Sequence, residues 1–198
     1  VTLTGQAADN ISKVNGRITV EAGQTAGKVS TVNGAIQLQE GARAGAVETV
    51  NGAIRLERDA QAERIKSVNG AIRLAEGTHV PGDLETVNGA ITLAPGAHIG
   101  GNLENVNGTI TLDAATIDGR LASVNGTLLI GANSTIGGGI LVSKPGGFSL
   151  TRRLPRVVIG PGARVDGELV FERVVELHVH QDAVIGPVQG ATAQRYSG

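Results

Sequence analysis

A chain of 198 residues with a formal net charge of −1 carries no electrostatic footprint for nucleic acid or an anionic membrane. Two Phe, one Tyr and no Trp are too few aromatics for an ordinary globular core, and 30 Gly is roughly twice the average share. The absence of Cys excludes a disulfide framework and a thiolate metal site, and no apolar run approaches the ~18 residues that span a bilayer.

The first rung is partial: Val1 and Leu3 alternate with Thr2 and Thr4, and Ile11 follows. The tripeptide Val-Asn-Gly then starts at Val14, Val32, Val50, Val68, Val87, Val106 and Val124, with spacings of 18, 18, 18, 19, 19 and 18 residues. Such a period with aliphatic stripes marks a solenoid, one coil of backbone per repeat. Four residues past each Val stand Ile18, Ile36, Ile54, Ile72, Ile91, Ile110 and Leu128. Six past it stand Val20, Leu38, Leu56, Leu74, Leu93, Leu112 and Ile130. This period-two alternation predicts short strands with one buried face. A third column runs Ala26, Ala44, Ala62, Val80, Ile99, Ile117 and Ile136, and a fourth runs Val29, Val47, Ile65, Leu84, Leu103, Leu121 and Ile140. The Ala-to-Ile change makes the early coils thinner on that face.

Three sets of turn residues separate the strands: the Gly of each Val-Asn-Gly; Gly23, Gly41, Asp59, Gly77, Gly96 and Asn133; and Gly27, Gly45, Gly82, Gly101, Gly119 and Gly138, with Glu63 breaking the run. All three are expected to use positive φ, giving a triangular coil. The extra residue of the longer coils falls at the third corner, at Pro81-Gly82-Asp83 and Gly100-Gly101-Asn102. The fourth column lies only three residues before the next Val, so a bulge or corner is expected between them. The organisation predicted is a Val-Asn-Gly solenoid over 1–142, an insertion over 143–156 (SKPGGFSLTRRLPR), closing coils of the same solenoid over 157–190 and a polar tail over 191–198. Nine to ten coils follow from the aliphatic sets.

The segment VVIGPGARVDGELVFERVVELHVHQDAVIG (Val157–Gly186) resembles the bactofilins, bacterial polymer-forming proteins with a right-handed β-helix of about three short strands per turn. The VNGAI-type coils are similar to bacterial adhesin-like β-solenoids as well. The Val-Asn-Gly corner and the 143–156 insertion depart from the bactofilin pattern. The resemblance implies a structural or scaffolding role and brings no catalytic residues. The rival fold, the left-handed hexapeptide helix of acyltransferases, wants a small residue four after each large aliphatic. Ile72 and Leu84 occupy such places, which favours the right-handed form.

Among candidate sites, the column Asn15, Asn33, Asn51, Asn69, Asn88, Asn107 and Asn125 stacks one amide per coil. It is expected to be structural, through a hydrogen-bonded ladder or simple fitness for the turn. His79 and His98 lie on adjacent coils. Two imidazoles fall short of the three or four ligands of a firm metal site, so no metal or other cofactor is expected. His178 and His180 are expected on the outward face of one strand. Arg55 and Arg73 next to Glu57 and Glu76 read as a salt-bridged surface. Phe148, Arg152 and Arg153 in the insertion suit a partner-docking loop.

The function expected is a non-enzymatic structural protein of a bacterial envelope. An adhesin-like binding module is the first alternative, and a hexapeptide acyltransferase or a polysaccharide lyase the weaker one. The lack of Met points to processing ahead of Val1, with a removed export signal as one explanation; this fits the periplasm or cell surface. Pro187 and Gly190 blunt the C-terminal end, so self-association is expected through the N-terminal coil, as a head-to-head pair.

Overall fold

The computed structural model describes residues 9–146 and 154–197. Ten parallel strands form one face: Ile18–Val20, Ile36–Leu38, Ile54–Leu56, Ile72–Leu74, Ile91–Leu93, Thr109–Leu112, Thr127–Ile130, Arg156–Ile159, Glu176–His180 and Ala193–Tyr196. Each pairs with the strand one coil away, in the register the repeat demands: Ile72, Ile91 and Ile110 are direct neighbours, as are Leu74, Leu93 and Leu112. The chain is thus a β-solenoid of about ten turns, and no helix occurs among the described residues. A 17-stranded parallel sheet supplies the other two faces.

All four aliphatic columns are buried, and residues such as Ile18, Leu56, Ile91 and Leu121 are fully enclosed. Enclosing one such side chain contributes about 1.5–3 kcal/mol. A fifth buried column was not evident from the aliphatic pattern. It holds small residues at the second corner: Ala42, Ala60, Thr78, Ala97, Ala115, Ser134, Ala163 and Ala183.

The corners work in two ways, where the sequence suggested one. At the second corner φ is positive as expected, at Gly23, Gly41, Asp59, Gly77, Gly96 and Asn133, and also at Ala114 and Gly162. At the Val-Asn-Gly corner only Gly16 and Gly108 have positive φ. There, glycine is demanded by close stacking instead: a Cβ on Gly52 would overlap the carbonyl oxygen of Gly34, and one on Gly70 that of Gly52. The third-corner glycines likewise have no positive φ; a Cβ on Gly119 would overlap Gly101.

The triangle is not uniform. Strands Arg43–Asn51 and Gln61–Asn69 run unbroken through the third corner, which is why the 17-stranded sheet is continuous. In the longer coils Pro81–Asp83 and Gly100–Asn102 interrupt the strand. Their polar side chains then serve the coil beyond: the Asn102 amide donates to Asp83 Oδ1 at 2.7 Å and the Arg120 amide to Asn102 Oδ1 at 2.9 Å.

The tail differs from expectation. Ala193–Tyr196 is the tenth strand of its face, paired with Glu176–His180. Its polar composition hid it, and its polar side chains hold it in place: Arg195 Nη1 donates to the carbonyls of His180 and Ala183 at 3.1 and 3.2 Å.

Candidate functional site

The bulge or corner expected between the fourth column and each Val-Asn-Gly valine is not needed, because the valine lies outside. Strand Val29–Asn33 buries Val29 and Thr31 and turns Ser30 outward, so alternation continues through Thr31. Val32 and Asn33 both face out as the chain turns. The repeat valines are therefore a surface stripe, with Val32 41 %, Val50 40 % and Val68 36 % exposed. The inward place belongs to Thr31, Thr49, Ser67, Thr86, Asn105 and Ser123. Some of these satisfy the corner backbone: Thr49 Oγ1 donates to the Gly34 carbonyl at 3.3 Å, Asn105 Nδ2 to that of Gly89 at 3.0 Å, and Ser123 Oγ accepts from the Gly126 amide at 3.1 Å. Among the described residues, the hydroxyls of Thr31, Ser67 and Thr86 have no hydrogen-bond partner.

The stacked asparagines form one continuous ladder. Asn33 Nδ2 donates to Asn15 Oδ1, Asn51 to Asn33, Asn69 to Asn51 and Asn88 to Asn69, each at 3.0 Å; Asn107 donates to Asn88 at 2.9 Å and Asn125 to Asn107 at 3.1 Å. Every amide points the same way, so the ladder has a donor end at Asn15 and an acceptor end at Asn125. The backbone at this corner runs the other way. The Gly16 amide donates forward to the Asn33 carbonyl at 2.8 Å, and the Gly34 amide to Asn51 at 2.9 Å. Successive coils are thereby held in both directions.

The acceptor end is closed by a residue that sequence reasoning missed. Arg173 Nη1 donates to Asn125 Oδ1 at 2.7 Å and to the Val124 carbonyl at 3.1 Å. Asn125 and Arg173 occupy the same corner two coils apart, since Ser123 pairs with Val142 and Val142 with Phe171. The intervening coil has Ser143-Lys144 in place of Val-Asn and opens there into the insertion. The long side chain of Arg173 bridges that gap, which an asparagine could not. Phe148, Arg152 and Arg153 lie outside the described residues.

His79 and His98 are cross-strand partners, with ring centroids 4.9 Å apart and planes tilted by 41°. Gln61 and Thr116 flank them in the same ladder. His98 Nε2 meets Asp118 Oδ2 at 2.8 Å, a partner from the next coil. Among the described residues no three His, Cys, Asp or Glu side chains are placed to hold a metal. His178 is half-buried, whereas His180, expected beside it on the outer face, is buried. The strand ends at His180 and turns, so its ring folds against Tyr196, edge-on at 5.1 Å, and Nδ1 accepts from the Asp182 amide at 3.2 Å.

Among the described residues, Arg55 and Arg73 take no part in the salt-bridged surface expected there. Glu57 Oε1 accepts from Gln37 Nε2 at 3.0 Å, and Glu76 pairs with Arg58 at 3.3 Å. The carboxylates are engaged by a neighbour in the preceding coil. Elsewhere, a hollow of about 550 Å³ opens over Ala26, Ala44 and Ala62, bounded by Arg43 and by Pro81 of the first longer coil. It is the outer counterpart of the thin early coils.

No protein-family model, no curated protein and no solved structure matches the chain.

Proposed function

We propose that the chain is a non-enzymatic structural rod, a bactofilin-like or adhesin-like scaffold of a bacterial envelope that self-associates through its N-terminal coil. The observation that carries this reading is the unbroken amide ladder from Asn15 to Asn125 with Arg173 at its end. A side chain engaged in such a ladder is committed to holding coils together. Ladders of like residues, repeated once per coil, suit a rod that transmits load along its axis better than a site whose groups converge on one substrate. The bacterial and envelope parts of the proposal rest on the resemblance of Val157–Gly186 to bactofilins.

Sedimentation and small-angle scattering over a concentration series test it. Ten coils at about 4.8 Å each give a rod on the order of 45 Å long. The expected result is an elongated particle whose length about doubles on pairing. A strictly monomeric rod at high concentration refutes the self-association. Filaments refute the head-to-head pair and favour open-ended, bactofilin-like polymerisation.

A further inference from the structure

We propose that Arg55 and Arg73 form a two-guanidinium site for a tetrahedral oxyanion, phosphate or sulfate. The two residues are direct cross-strand partners on the ten-stranded face, at the centres of Ile54–Leu56 and Ile72–Leu74. Both are exposed. Parallel neighbours lie about 4.8 Å apart, and like charges placed directly opposite in a sheet destabilise it. The structure does nothing to relieve this conflict. Among the described residues neither guanidinium makes a hydrogen bond or an ion pair.

The carboxylates close to them in sequence are engaged by other partners, Glu57 by Gln37 and Glu76 by Arg58. Thr92 follows Arg73 in the same ladder, and Gln37 precedes Arg55. The residues two positions to either side of each arginine, just beyond the strand ends, are small on three sides, Ala53, Ala71 and Ala75, with Glu57 on the fourth. An anion therefore approaches two adjacent forks over low ground, with the Thr92 hydroxyl as a further donor. Planar guanidiniums match oxyanion geometry with paired N–H donors. An oxyanion between them converts a repulsive pair into a bridged one, with no rearrangement of the strands. Because the site is open to water, and Glu57 sits beside it, affinity for a single ion is weak, with Kd on the order of 1 mM.

The test titrates sodium sulfate and sodium phosphate against the folded chain, with sodium chloride holding ionic strength constant, and reads the thermal midpoint and the heat of binding. A saturable rise in the wild type that is lost in R55Q/R73Q is expected. Arg73→Glu places opposite charges across the strands. It is expected to raise the midpoint in chloride alone and to lose the sulfate response. Equal responses in the wild type and R55Q/R73Q overturn the proposal, as does a midpoint lowered by Arg73→Glu. Dextran sulfate distinguishes the source of the anion. Affinity per sulfate far above that of the free ion, dependent on both arginines, assigns a polymer-borne group; equal affinity per sulfate, with the same dependence, assigns a free ion. Wild-type binding of dextran sulfate by R55Q/R73Q overturns the site.

Discussion

Arg173→Ala removes the terminal donor of the amide ladder, and its cost follows from two contacts. Arg173 Nη1 gives hydrogen bonds to Asn125 Oδ1 at 2.7 Å and to the Val124 carbonyl at 3.1 Å. Hydrogen bonds involving a charged group contribute about 1.5–3 kcal/mol each when shielded. Arg173 and Asn125 are only half-buried, so water replaces part of what is lost, and one nitrogen serves both acceptors. The expected loss is about 1–2 kcal/mol in urea unfolding. The loss is local, because a solenoid coil depends chiefly on its neighbours. Hydrogen exchange should therefore quicken first at Val124, Asn125 and the strand Ile140–Val142 that lies between the bridged coils. A double-mutant cycle with Asn125→Ala isolates the pair, with a coupling on the order of 1 kcal/mol expected. Arg173→Asn should not rescue, since a short amide cannot reach across two coils. A coupling near zero, or an Arg173→Asn variant as stable as the wild type, would refute the reasoning.

Ile91 is fully buried between Ile72 and Ile110, and Ile91→Asp should unfold or aggregate the protein because a carboxylate there has no partner; a melting temperature within a degree of the wild type would disprove the column. Glu48 has Lys28 at 2.7 Å and Arg64 at 3.7 Å, and the hydrogen bond from Lys28 is the first cause that holds its carboxyl below the ordinary glutamate range. A depressed pKa stabilises the fold above the ordinary value, and that contribution is lost as pH falls through the lowered one. Lys28→Met should therefore lessen the loss of stability on acidification below about pH 4.5, read as urea midpoints against pH; an identical acid limb in wild type and variant would count against the pair.

The architecture was legible in the sequence because its determinants are local and repeated. A buried aliphatic recurs at one position per coil, so a single error in register would have disturbed every later column. What local pattern could not reveal was which of two neighbouring residues faces inward. Thr31 and Val32 differ by one position, and hydrophobicity alone favours Val32 as the core residue. The alternation set by Val29 instead places Thr31 inside and Val32 outside, and it is the corner backbone that gives the inward polar residue its use, as with Thr49 on the Gly34 carbonyl. The glycines were misread for a related reason. A turn glycine and a stacking glycine look alike in sequence, and only the carbonyl of the preceding coil separates Gly52 from Gly41.

The site was legible to the extent that it repeats. Seven asparagines at one phase announce a ladder, but not its polarity, and polarity is what makes its two ends differ. A row of aligned amides leaves unused donors at one end and an unused acceptor at the other, much as a helix leaves carbonyls at its C-terminus that cations stabilise. Arg173 answers that need at Asn125 from a segment with no Val-Asn-Gly of its own. In the register its phase is the asparagine phase, displaced by two coils and hidden by the 143–156 insertion between them. The arginine follows from the insertion. Where the repeat continues, the next asparagine supplies the donor; where Lys144 stands in the asparagine's place, a longer cation from one coil further on reaches back. The sequence pattern to seek in related solenoids is thus an amide column that stops at an insertion, followed by arginine at the same phase on the coil after it.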